Sequence, residues 1–96
     1  MTHLSEGDAA ESSRALVLPP DFDEYAEEVE IKGWFHLAVV REGSREWPVF
    51  FWDPVRLAQD IEATLEYADF FTSERMIVVP ALTRGAMEAA VARVHF

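Results

Sequence analysis

Residues 46–62, EWPVFFWDPVRLAQDIE, place four bulky aromatics within six positions and then turn abruptly polar. The change falls at Asp53-Pro54, which reads as the start of a helix. An aspartate side chain caps free backbone N–H groups, and proline is favoured at the first helical position, where its missing N–H is no loss. Beyond it Leu57, Ala58, Ile61, Leu65 and Ala68 recur at helical spacing, while Gln59, Asp60, Glu62, Glu66 and Asp69 face away. Before it, residues 45–52 alternate as a strand, so one subset of the aromatics packs under the helices and the other faces away.

The same reading extends outward in both directions. Val29, Ile31, Phe35, Leu37 and Val39 fall on one face of a period-two pattern, interrupted only at Gly33. This predicts a strand over 29–40 whose other face carries Glu30, Lys32, Trp34, His36, Ala38 and Val40. Glu42-Gly43-Ser44 then supplies a tight turn, and residues 45–52 complete an antiparallel hairpin. Downstream, residues 76–79 (MIVV) are short, mostly β-branched and uniformly apolar, as a strand covered on both faces would be. Thr83 is placed to cap a last helix with a buried stripe of Met87, Ala90, Val91 and Val94, slightly weakened by Gly85 in its first turn.

The order β-β-α-β-α predicts an α+β fold, a two-layer sandwich of one three-stranded sheet with two helices on one face. A helical crossover joins the second strand to the third, so these two run parallel with a right-handed connection. Pro48 has no N–H to give a ladder and points to an edge for the second strand. That favours spatial order 2-1-3, with 1-2-3 as the alternative. A single domain over 21–96 follows a flexible acidic arm over 1–20, which ends in an Ala15-Leu16-Val17-Leu18 patch and a Pro19-Pro20 spacer. Residues 21–28 include a short helical turn begun by Asp21 or Asp23.

Ninety-six residues suit one small domain, and the half-hydrophobic, 12% aromatic composition is that of a folded chain. No cysteine is present, which removes disulfide and thiolate chemistry and suits a reducing cytoplasm. The N-terminus lacks a signal pattern, and no apolar run approaches a bilayer span. The expectation is a cytoplasmic protein with no membrane partner. The formal charge of −10 is uneven: residues 1–30 hold nine acids and one base, and residues 31–96 hold nine acids and seven bases. Such an acidic segment repels phosphate backbones, so no nucleic acid is expected; it attracts a basic protein or serves as a solubilising tail.

Catalytic constellations are missing from the sequence. It holds no Gly-rich phosphate loop, nucleophile elbow or His-Glu-x-x-His helix, and His3, His36 and His95 stand alone. No cofactor or metal is expected. The remaining signal is an uncovered sheet face with Trp34, His36 and Val40, joined by strand-two aromatics from one of two registers. One register supplies Trp47 and Phe51, the other Phe50 and Trp52, and a one-residue slip exchanges them. Residues 15–30, through Leu16, Leu18, Phe22 and Tyr25, are the alternative cover for that face. Asp53, Arg56, Gln59 and Asp60 add a polar patch at the head of the first helix, where Arg56 opposes the macrodipole and calls for a carboxylate partner.

The candidate partner-binding residues are therefore Trp34, His36, Val40, Trp47, Phe51, Trp52, Asp53 and Arg56. They fit a non-enzymatic protein-interaction module that forms a homodimer or docks a partner, as an inhibitor or immunity-type binder of a basic protein would. The competing expectation is a small enzyme or ligand-binding domain using His36 with Asp53 or Arg56 at the junction of strand two and the first helix.

Overall fold

Gly33 separates two structures that the alternation over 29–40 runs together. In the computed structural model, which describes residues 14–94, helix α1 spans Ala26–Lys32 and strand β2 spans Trp34–Glu42. Glu27 and Glu28 lie in the first turn of α1 and Lys32 in its last, each complementing the macrodipole. Gly33, at φ 81°, ends the helix in the left-handed conformation, and its N–H donates to the Val29 carbonyl. Val29 is buried while Ile31 is 84% exposed, so the expected strand over 29–32 is a helix with one inward residue. A short 3₁₀ turn, Phe22–Glu24, precedes it, as the Asp-rich segment suggests.

The second break in the alternation is a β-bulge. Strand β3 (Arg45–Trp52) pairs antiparallel with β2, Phe35 opposite Phe51 and then Ala38 opposite Val49. His36 and Leu37 together oppose Phe50, which shifts the phase of β2 by one residue. Phe35 before the bulge and Ala38 and Val40 after it therefore share a face with Val49 and Phe51. Leu37, expected in the core, is 66% exposed. The hairpin closes through Gly43-Ser44 with φ 63° at Gly43 alone, the pattern of a type II′ turn.

Among the described residues the sheet has four strands, in the order β1 (Ala15–Val17), β2, β3 and β4 (Met76–Val78), and not three in the order 2-1-3. Strand β4 runs parallel to β3, as the helical crossover predicts, and lies directly beside it. Strand β1 pairs antiparallel with the other edge of β2. Pro48 is tolerated inside the sheet for a local reason. The Phe50 N–H donates to the Arg75 carbonyl at 3.2 Å, so the backbone N of residue 48 points to the same side. Strand β4 begins only opposite Phe50, and no donor is wanted there. Residues 14–20, expected within a flexible arm, thus include part of the sheet; the rest of that expected arm lies outside the described residues.

One face of the sheet carries the core. Phe22, Val29, Leu82, Met87 and Val91 pack on Phe35, Ala38, Val40, Val49, Phe51, Ile77 and Val79. Helix α3 (Arg84–Arg93) supplies Met87, Ala90 and Val91 of the stripe that its spacing predicts, Val94 packs on the core from the extended residue that caps it, and the Ala86 N–H donates to the Thr83 hydroxyl at 3.2 Å. Arg14 ties β1 to the end of this helix by donating to the Val91 and Val94 carbonyls, and it pairs with Glu42 at 3.4 Å. Helix α2 (Pro54–Leu65) departs from the expected two-layer plan. None of its residues is buried, and its Asp60 meets Trp52, which lies on the sheet face opposite the core.

Candidate functional site

The bulge concentrates aromatic side chains on the face opposite the core. Trp34, opposite Trp52, and Phe50, opposite the bulge, point to this side, and His36 sits among them. Its ring centroid lies 4.8 Å from Trp34, 5.3 Å from Phe50 and 4.7 Å from Trp52. Phe71 packs edge-on against Trp52 at 6.1 Å, and the Lys32 ammonium stands 5.6 Å from the centre of a Trp34 ring. Met76 and Val78 of β4 extend the same face, because their partners are Phe50 and Trp52. A cavity of about 130 Å³ opens between α1 and β2, bordered by Tyr25, Glu28, Lys32, Trp34, His36 and Leu37.

The polar residues at the head of α2 are engaged with one another. Asp53 Oδ1 accepts the Arg56 backbone N–H at 2.7 Å, and the Asp53 N–H donates to the Gly33 carbonyl at 2.8 Å. Gly33 is required here twice over, since a Cβ added to it would meet Asp53 Oδ2 at 2.7 Å. Asp60 is the carboxylate that Arg56 calls for: Arg56 Nε donates to its Oδ1 at 2.9 Å, and Trp52 Nε1 donates to its Oδ2 at 2.8 Å. One carboxylate therefore aligns the helix and satisfies the indole beneath it.

His36 behaves as part of this aromatic surface. Its Nε2 is buried without a hydrogen-bond partner, and burial holds its pKa below the ordinary 6.5, with the Asp60 charge pulling partly back. None of its contacts is a hydrogen bond to Asp53 or Arg56. Among the described residues no group of three or more His, Cys, Asp and Glu stands ready to hold a metal ion. No helix among them is long and apolar enough to cross a membrane.

Of the residues singled out in the sequence, Trp34, His36 and Trp52 meet on the open face, with Asp53 and Arg56 at its α2 border. Trp52 is covered there by Asp60 and Phe71 and is itself buried. Val40 and Phe51 are fully buried on the core face, and Trp47 packs against the core with the Arg45 guanidinium 5.3 Å from its ring. The bulge exchanged these assignments. Phe50, Leu37, Met76 and Val78 are the face residues that sequence reasoning did not select as the site; the alternative register that brings Phe50 outward was the only signal for any of them. The segment expected as a cover, 15–30, folds back on the other side: Phe22 meets Phe35 edge-on at 5.2 Å. No protein-family model matches the chain, and no curated protein or solved structure matches it significantly.

Proposed function

We propose that this chain is a non-enzymatic protein-interaction module that docks a partner protein on the open sheet face around Trp34, His36, Leu37 and Phe50. The observation that carries this reading is an apolar face with its polar neighbours already paired. Leu37 is 66% exposed and Met76 41% exposed beside the aromatic cluster, whereas Asp53, Arg56 and Asp60 satisfy each other. Exposed contiguous apolar surface favours association, and tryptophan is a frequent anchor in such contacts.

Charge suggests the partner's chemistry. Asp21, Asp23, Glu24, Glu27, Glu28 and Glu30 are all exposed on the 3₁₀ turn and α1, and Glu28 borders the cavity beside Trp34. A partner with a basic rim around an apolar patch complements both features, and an inhibitor or immunity-type role toward a basic protein is the specific form of this reading. The test is cross-linking and recovery of partners by the full chain, followed by binding measurements with the purified partner. Leu37→Asp, at an exposed position, is expected to keep the circular dichroism and Tm of the parent and to weaken binding by about tenfold or more. Trp34→Glu should act in the same direction. Undiminished binding by both folded variants overturns the reading.

A further inference from the structure

We infer that the outer edge of β4 is a self-association surface, through which two copies of the chain pair antiparallel across a two-fold axis at Ile77. The phase of the backbone sets this up. Phe50 donates to the Arg75 carbonyl and Val79 donates to the Trp52 carbonyl, so residues 75, 77 and 79 turn their peptide groups toward β3. The N–H and C=O groups of Met76 and Val78 therefore point out of the sheet, and β4 is its last strand among the described residues. Protected edges carry charges, proline or bulges, but residues 76–79 are Met-Ile-Val-Val.

Two-fold pairing satisfies these groups without changing the fold. With Ile77 on the axis, Met76 of each copy stands opposite Val78 of the other. Those are the outward-facing residues, so they form the closely spaced hydrogen-bonded pairs of an antiparallel ladder. Four new backbone hydrogen bonds result, and the contact closes on itself as an isologous interface must. On the core side of this edge an open groove of about 410 Å³ lies between β4 and α3, where Val79, Pro80, Ala86, Ala89, Ala90 and Arg93 line it. The small α3 side chains let the same helix of the second copy approach closely.

Electrostatics permits pairing at this edge for two identical acidic chains. Residues 74–88 hold Arg75 and Arg84 against Glu74 and Glu88, a near-neutral stretch within a chain of formal charge −10. At the opposite edge, β1 is preceded by fourteen residues that contain Glu6, Asp8 and Glu11 and one base, Arg14, which is paired with Glu42. Like-charge repulsion between copies is therefore small at β4.

Sedimentation equilibrium of the full chain over a wide concentration range tests the pairing, with twice the chain mass expected at the upper end. Val78→Pro removes only an outward-facing N–H, as Pro48 does in β3, and by symmetry deletes two of the four ladder bonds. It is expected to raise the dimer dissociation constant by about tenfold or more. Met76→Lys, at a partly exposed position, should act likewise by placing a charge on the edge. In the parent chain, exchange protection of the Met76 and Val78 amides should grow with protein concentration. Trp34→Glu should leave the mass unchanged, so this proposal and the open-face reading fail separately. A monomer at every concentration, open-ended assembly, or a dimer that persists in folded Val78→Pro overturns the pairing.

Discussion

At the scale of single residues, His36 shows how a polar group is held in an apolar surface. The bulge turns it among Trp34, Phe50 and Trp52, where its Nε2 has no acceptor. Burial lowers its pKa from 6.5, because the charged form loses water and gains only the partial attraction of Asp60. The unfolded chain therefore binds a proton that the folded chain resists. The resulting stability is fully present above pH 6.5 and is lost as pH falls through the unfolded value and toward the folded one. His36→Phe, which keeps the ring packing, is expected to flatten this part of the Tm profile between neutral and mildly acidic pH. Carboxylate protonation at lower pH should remain in both proteins. An unchanged slope near neutrality in His36→Phe rejects the assignment. The sequence places this histidine mid-strand on the face of Trp34, but not its neighbours, because the bulge beside it depends on pairing with Phe50 and leaves no mark in the local pattern.

At the scale of elements, legibility followed the strength of local signals. The Asp53-Pro54 start and the Thr83 cap are visible because capping residues act on adjacent backbone groups, and both make the expected hydrogen bonds. Helix α1 was hidden because Val29 and Ile31 happen to continue the alternation of β2; Gly33 was the signal, as a residue able to end a helix at positive φ. Strand β1 has only three residues, too few for periodicity to identify, and β4 is so short that Pro48 finds an open edge inside an internal strand. The spacing of Leu57, Ile61 and Leu65 marks helix α2 as amphipathic, yet none of its residues is buried. Its polar ties to the rest of the fold are the bond of Asp60 to Trp52 and, at the capped end, that of the Asp53 N–H to the Gly33 carbonyl. Asp53→Ala is therefore expected to cost about 1 kcal/mol and to speed hydrogen exchange in α2. The α3 amides, anchored by Met87 and Val91, should lose protection only with global stability. Equal acceleration in α2 and α3 shows that α2 does not open on its own.

At the scale of the whole molecule, the distribution of charge changes meaning once residues 21–30 are seen to fold. Reading the sequence alone assigns the acidic excess to an arm, but six of those nine acids belong to the 3₁₀ turn, α1 and the residue preceding them, all exposed on the folded body. Residues 1–13 carry only Glu6, Asp8 and Glu11. The steering field for a basic partner should therefore originate mainly from α1, fixed in place beside the open face, where a charge adds to the association rate. Deleting residues 2–13 is expected to leave Tm unchanged and to reduce the salt dependence of the association rate only slightly. Reversing Glu27, Glu28 and Glu30 to lysine in the full chain should remove most of that dependence, since interactions over about 8–10 Å are the ones salt screens. Deletion through Leu18 differs again: it takes away Arg14, with its bonds to Val91, Val94 and Glu42, and the Leu16 and Leu18 side chains that pack on the core. That longer truncation should lower Tm even without a partner, because hydrogen bonds to a charged donor are each worth about 1.5–3 kcal/mol and α3 loses its tie to the sheet edge. If the short deletion abolishes the salt dependence while the α1 reversal spares it, the field belongs to the N-terminal residues and the orientation of the partner toward Trp34 has to be argued from the apolar face alone.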